Sequence, residues 1–268
     1  MLSAQYDDSI KNGLDVLEGG ATYNNSSVNF YSIASLVDCL SVIKEFVYDK
    51  KIITIKELRN TLKNNWQDNL PLRNKILKYP AKYGNEDSVA DEITKDVTKY
   101  IASTVNNRKN SRGGVYKASL FTIDRCFHFG KLTCATPDGR LYGEPLSKNL
   151  CASLTMDKNG ILSLINSTTV IDQTDFSNGI VLDVLLHPST VKGEDGLNAF
   201  YGILRTYFNK GGYALHGNVF NAEELKRAQQ NPEKYPNLQV RVCGWNVYFV
   251  NLLKEEQDAF IKQAENLN

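Results

Sequence analysis

Val240-Arg241-Val242-Cys243-Gly244-Trp245-Asn246-Val247-Tyr248-Phe249-Val250 is the stretch on which the reading of this chain turns. Two apolar alternations flank Gly244 and differ in parity: Leu238, Val240 and Val242 are even, Val247 and Phe249 odd. Strand side chains alternate with period two, so no single strand keeps one face buried through that switch. The register must break between Cys243 and Asn246, which places Gly244 at the tip of a loop between two half-buried extended runs. On local grounds an ordinary hairpin turn, with glycine supplying an unusual backbone angle, accounts for the pattern.

On either side the pattern is mixed. Downstream, residues 254–266 read as an amphipathic helix with Phe260, Ile261 and Ala264 inward. Upstream, Asn221-x-x-Glu224 caps a short helix that stops at Asn231-Pro232, and residues 213–220 read as a strand. Before that strand, Leu197, Phe200, Tyr201, Leu204 and Phe208 form the apolar face of a helix ended by Gly211-Gly212. Residues 116–123, 161–171 and 180–186 are strand candidates, 172–179 a polar loop, and Ala135-Thr136-Pro137-Asp138-Gly139-Arg140 a tight turn.

The first half is mainly helical. Residues 32–47 carry Ile33, Leu36, Val37, Leu40, Ile43 and Val47 on one face, and Thr54-x-x-Glu57 opens a second helix that frays before Pro71. Val89, Ile93, Val97, Ile101 and Val105 mark a long helix closed by Ser111-Arg112-Gly113-Gly114. Strands and helices alternate in the second half, so the class is α/β.

The 268 residues are 42% hydrophobic and 23% charged with a net charge of +1, an ordinary globular balance without the electrostatic footprint of a nucleic-acid partner. No apolar run approaches the ~20 residues of a membrane helix and the N-terminus lacks a signal-peptide pattern, so the expected location is cytoplasmic and no membrane partner is expected. Cys39, Cys126, Cys134, Cys151 and Cys243 are scattered, without disulfide or zinc spacing. His128, His187 and His216 are dispersed as well, which favours structural or pocket-lining roles over a metal triad.

Arg241-Val242-Cys243-Gly244-Trp245, followed by Val247-Tyr248-Phe249 and the helix opening Lys254-Glu255-Glu256-Gln257-Asp258, resembles the C-terminal signature of glycyl radical enzymes, the family of pyruvate formate-lyase and related dehydratases. The turn at residues 135–140 with Gly143-Glu144-Pro145-Leu146-Ser147, then Lys192-Gly193-Glu194-Asp195-Gly196-Leu197, Arg205-Thr206-Tyr207-Phe208 and Asn231-Pro232-Glu233-Lys234-Tyr235, resemble further family blocks in family order. Residues 19–24 and 80–85 extend the match across nearly the whole chain.

The resemblance implies an α/β fold, the C-terminal part of a ten-stranded barrel with a mainly helical N-terminal half, divided into a barrel part (1–134) and a glycyl radical domain (135–268). It implies a radical stored on Gly244, supported by Arg241, Val242, Cys243 and Trp245 and installed by a radical S-adenosylmethionine activating enzyme with an iron–sulfur cluster. No bound cofactor or metal is implied. A glycine suits the task, because losing one Cα hydrogen leaves a planar radical that a side chain would crowd, and burial would protect it from oxygen.

The family's thiyl cysteine lies far upstream, and none of the five cysteines falls in a matching block; all five read as structural. The implied partners are therefore the activating enzyme and an N-terminal lyase portion carrying that cysteine, with room for a homodimer of the full enzyme. The chain is then a split-gene subunit or a truncated reading frame, inactive alone; the competing readings are a non-catalytic spare part that repairs a damaged lyase, and an unrelated α/β binding module. Gly139, Arg140, His187 and His216 are candidates for the active-site side. Leu253 stands where relatives commonly carry a helix-capping hydroxyl, so the last helix is expected to fray unless Asn251 caps it.

Overall fold

In the computed structural model, which describes residues 1–122, 125–242 and 244–266, four short parallel strands organise the chain. These are β1 (Ser26–Asn29), β2 (Tyr116–Ser119), β3 (Leu182–Leu186) and β4 (Leu215–Val219). β1 pairs with β2 and β3 with β4, and a parallel bridge between Leu120 and Ile180 links the two pairs in the order β1-β2-β3-β4. Parallel neighbours need long crossovers. Helices α2 (Ile33–Val42), α3 (Ile55–Lys63), α4 (Leu70–Leu77) and α5 (Ser88–Val105) lie between β1 and β2, α6 (Arg125–Leu132) and α7 (Gly160–Thr168) between β2 and β3, and α8 (Gly193–Asn209) between β3 and β4. A six-residue α1 (Asp7–Asn12) precedes β1.

Local chemistry explains most boundaries. Thr54 and Glu57 form the expected capping box at α3, and Asn69 caps α4 with Pro71 in its first turn. Asp87 accepts from the N–H groups of Val89 and Ala90 and starts α5. That helix ends at Val105, earlier than the glycines at 113–114 suggest, because Asn107, Arg108 and Asn110 turn the chain into backbone bonds with residues 114–116. The helix through Ile33 widens after Val42 into a π-helical stretch (Ile43–Asp49).

One strand expectation fails. Residues 161–171 contain helix α7, with Leu164, Ile165 and Thr168 buried and Ile161 packed against them. Their i, i+3, i+4, i+7 spacing is helical, and the β-branched composition of Thr168 to Ile171 masks it.

The sheet has two unlike faces. Phe30, Ala118, Leu120, Leu182, Val184 and Leu215 point one way, into the largest core cluster, where Val37, Tyr83, Ile101, Leu164 and Tyr207 cover them. Registers Asn29↔Ser119, Asp183↔His216 and Leu185↔Asn218 place Ser27, Asn29, Lys117, Ser119, Asp183, His216 and Asn218 on the other face, with Leu185 its one buried apolar member among them. A second core gathers around Trp66, whose indole N–H donates to the Thr136 carbonyl at 3.2 Å. Among the described residues these strands form an open run, not a closed barrel. No described helix is long and apolar enough to cross a membrane.

Asp38, 0% exposed, lies beneath the first core. Its carboxylate accepts from the Tyr83 N–H at 2.8 Å and the Ser153 hydroxyl at 2.7 Å. Burial outweighs these bonds and the nearby Lys82 charge, pushing its carboxyl up to about 6. The folded chain therefore holds this proton to higher pH than the unfolded one. The carboxyl favours folding most below about pH 4 and progressively less as the pH rises through about 6. Asp38→Asn keeps an acceptor for Tyr83 and offers Ser153 a donor. Urea unfolding should show the variant more stable than the parent by about 1–2 kcal/mol at pH 7.5, with the gap closing toward pH 4.5.

Candidate functional site: a glycine hairpin beside a polar sheet face

Strands β5 (Gln239–Val242) and β6 (Trp245–Tyr248) pair antiparallel. The register Val240↔Val247 and Val242↔Trp245 pairs every even residue with an odd one, which a two-residue connection requires. The parity switch in the sequence is therefore the imprint of a hairpin whose last strand pair is Val242↔Trp245. Gly244 has φ +103°, a conformation that other residues rarely adopt, so the turn alone justifies glycine. A Cβ built on it would meet nothing within 4 Å.

The supporting residues divide. Arg241 Nη1 donates to Asn246 Oδ1 at 3.2 Å, across the hairpin. Val242 is half-buried, and Trp245 is 48% exposed. Cys243 lies outside the described residues. The expected burial of the tip is not found: Gly244 is exposed, because the core that holds the hairpin gathers at its base and no described part of this chain covers its end.

That base is well built. Val240 and Phe249 pack with Leu185 of β3, with Leu225 and Ala228 of α9 (Ala222–Gln230), and with Ile261 and Ala264 of α10 (Lys254–Glu265). The Phe249 N–H donates to the Leu238 carbonyl at 2.8 Å, continuing the ladder. Leu253 offers no acceptor to α10, but its own N–H donates to Glu256 Oε2 at 3.0 Å, half of a capping box. Gln257 ties the helix to the hairpin by donating to the carbonyls of Phe249 and Leu252.

Beside the hairpin, the polar face of β3 and β4 holds a charged group. Asp183 receives His216 Nδ1 at 2.9 Å on one oxygen, and Asn149 Nδ2 at 2.6 Å and Lys148 Nζ at 3.2 Å on the other. Burial opposes ionisation of Asp183, yet the His216 ring, the Lys148 ammonium and the Asn149 amide together hold its carboxyl below the usual range. The Lys148 ammonium also sits 5.9 Å from the Phe260 ring centre, reaching α10. A cavity of about 300 Å³ opens between this group and the hairpin, lined among others by Asp183, Asn218, Val242 and Phe260.

Of the four residues expected near the active-site side, the structure brings only His216 to this face. Arg140 is 8% exposed, and its guanidinium donates to the carbonyls of Thr133, Cys134, Leu141 and Glu144, so it staples its own turn. Gly139 packs on Leu77, and its carbonyl accepts from Arg73 Nε at 2.7 Å. His187 caps the short turn at Pro188–Val191 by accepting from the Ser189 N–H. Asp183, Asn149 and Asn218 carry no signal in the local sequence, because their contacts come from strand register. Burial pushes the thiols of Cys39 and Cys151 up, which makes them poor thiolates.

Residues 1–130 match the pyruvate formate lyase-like family, and residues 146–250 match the glycine radical family. Trans-4-hydroxy-L-proline dehydratase of Clostridioides difficile is 33% identical over 265 residues, covering 99% of this chain and 34% of the relative. The 4-hydroxyphenylacetate decarboxylase glycyl radical subunit of the same species is 32% identical over 281 residues, covering 96% and 31%. Among solved structures, the glycerol-bound B12-independent glycerol dehydratase of Clostridium butyricum superposes with a TM-score of 0.93 at 34% identity, covering 98% of this chain and 33% of that one. The chain thus spans about a third of the length of the relatives it matches. With these two family matches, and a TM-score of 0.91 at 33% identity to a third of a solved glycyl radical enzyme of Archaeoglobus fulgidus, this chain belongs to the glycyl radical enzyme family.

Proposed function

We propose that this chain is the radical-bearing portion of an anaerobic glycyl radical enzyme of the lyase or dehydratase kind, with Gly244 as the storage position. The observation that carries the reading is a hairpin tip inside the glycine radical match that is anchored firmly at its base and bare at its end. Removing one hydrogen atom from the Gly244 Cα leaves a radical delocalised over the adjoining amide nitrogen and carbonyl. Such a centre needs cover from oxygen that the described residues do not supply. In this reading a separate portion supplies both the cover and the thiyl cysteine, and a radical S-adenosylmethionine activating enzyme removes the hydrogen. Residues 135–268 then carry the radical and residues 1–134 belong to the barrel scaffold. Arg241, Val242, Cys243 and Trp245 hold the loop.

The relatives include dehydratases acting on hydroxyproline and on sulfopropanediol, and a decarboxylase acting on hydroxyphenylacetate. Their shared first step would be hydrogen abstraction from a small hydroxylated substrate. A free-standing spare part that replaces a damaged glycine is the competing role. The match of residues 1–130 to the lyase scaffold weighs against it, since repair of the glycine alone has no use for that segment.

Anaerobic incubation with an activating enzyme should produce an electron paramagnetic resonance doublet, split by the remaining Cα hydrogen, and Gly244→Ala should show none; a doublet that survives the substitution rejects Gly244. Mixing separates the two roles: a split subunit restores turnover only with its own N-terminal portion, whereas a spare part rescues a full-length lyase whose glycine has been destroyed. The chain contains two tryptophans, Trp66 fully buried and Trp245 half-exposed at the hairpin end. Binding of the covering portion should therefore shift the emission to shorter wavelength, and Trp245→Phe should abolish the shift.

A further inference from the structure

We infer that Asn218 is the residue that positions the glycine hairpin on the sheet. In the hairpin ladder the Phe249 N–H donates to the Leu238 carbonyl, and bonded pairs alternate with non-bonded ones, so Val240 and Val242 face β6 with their backbone groups. The N–H and C=O of Arg241 consequently point out of the hairpin. Asn218, at the fourth position of β4 and 8% exposed, meets both of them. Its Oδ1 accepts from the Arg241 N–H at 2.8 Å, and its Nδ2 donates to the Arg241 carbonyl at 3.1 Å.

A side-chain amide here does the work of a strand neighbour: one donor and one acceptor, spaced to match one residue of backbone. Among the described residues β4 and β5 share no other hydrogen bonds, so one amide sets how the hairpin sits against the sheet edge. Gly244 follows Arg241 by three residues, within roughly 10 Å of extended chain. His216 precedes Asn218 by two on the same face of β4, roughly 7 Å along the strand. Fixing Arg241 thus fixes where Gly244 projects relative to the Asp183–His216 group. The apolar base formed by Val240, Phe249 and Leu185 holds the hairpin to the domain, but apolar contacts are not directional and leave the tip's angle free. A primary amide places its donor and its acceptor on the two arms of one planar group, which matches the N–H and C=O of a single residue, and glutamine is one methylene too long for this gap.

The functional meaning rests on the reading of Gly244 as the radical position, but the latch itself is testable on the chain without any radical. Hydrogen–deuterium exchange would compare the parent with Asn218→Leu, which removes both bonds, and Asn218→Asp, which as a carboxylate keeps only the acceptor. Amides in the 239–248 hairpin should exchange at least tenfold faster in Asn218→Leu and by an intermediate factor in Asn218→Asp, with the β3 amides unchanged. Unchanged hairpin exchange overturns the inference, and so does equal acceleration through β3, which would make Asn218 a general fold residue. If Asn218→Leu fails to fold, the Asn218→Asp arm decides, because an intermediate loss confined to the hairpin is not expected of a residue that only fills space. A parent chain that never yields the doublet sinks the reading of Gly244 and leaves these exchange results standing.

Discussion

A short parallel sheet imposes the constraint from which the rest of this structure follows. Parallel strands cannot be joined by tight turns, so each crossover brings helices, and those helices must cover a face. Here they cover one. Val37, Tyr83, Ile101, Leu164 and Tyr207 close over Leu120, Leu182 and Val184 and make that face the main core. The opposite face is mostly polar, and the hairpin and α10 pack against its β3–β4 end through Leu185. A sheet with one apolar and one polar face is unusual for parallel strands, which are commonly buried on both sides.

The polar face is not a loose solvated surface. Asp183 is nearly buried, with the His216 ring, the Asn149 amide and the Lys148 ammonium against its carboxylate, and this arrangement keeps it ionised. Desolvation opposes ionisation at both buried aspartates; at Asp38 the Lys82 charge and the two hydrogen-bond donors do not offset it and the Asp138 carboxylate adds repulsion, so that carboxyl tends to take up a proton. The two aspartates show how one residue type is set to opposite protonation tendencies by what surrounds it. Lys148 extends the Asp183 group to α10 through the Phe260 ring, so charge and hairpin support are physically continuous.

The glycine at the hairpin tip answers to two demands, and the structure separates them. Its positive φ satisfies the turn, while open space around the Cβ position means that packing within this chain does not exclude a side chain. Steric crowding is thus not the reason for glycine here. The radical chemistry proposed for Gly244 supplies a further reason, and the bare tip is the feature that makes a covering portion chemically necessary in that proposal.

Much was legible from sequence where the cause is local. The parity change around Gly244 specified the two-residue hairpin, Thr54 and Glu57 specified a helix start, and the ordered blocks from residue 135 onward specified the family, because side-chain periodicity and capping act between near neighbours. The helix at Gly160–Thr168 was misread as a strand because its β-branched end carries a strand-like composition while its burial pattern is helical. What only the tertiary structure decided is which residues share the site. Asp183 meets His216 across a strand register, Asn149 and Lys148 arrive from a loop more than thirty residues earlier, and Asn218 meets Arg241 from 23 positions away. Arg140, conspicuous in the sequence, proved to be occupied by its own turn. Contacts between distant segments depend on how strands align and which face each presents, and no pattern of neighbouring residues encodes that alignment.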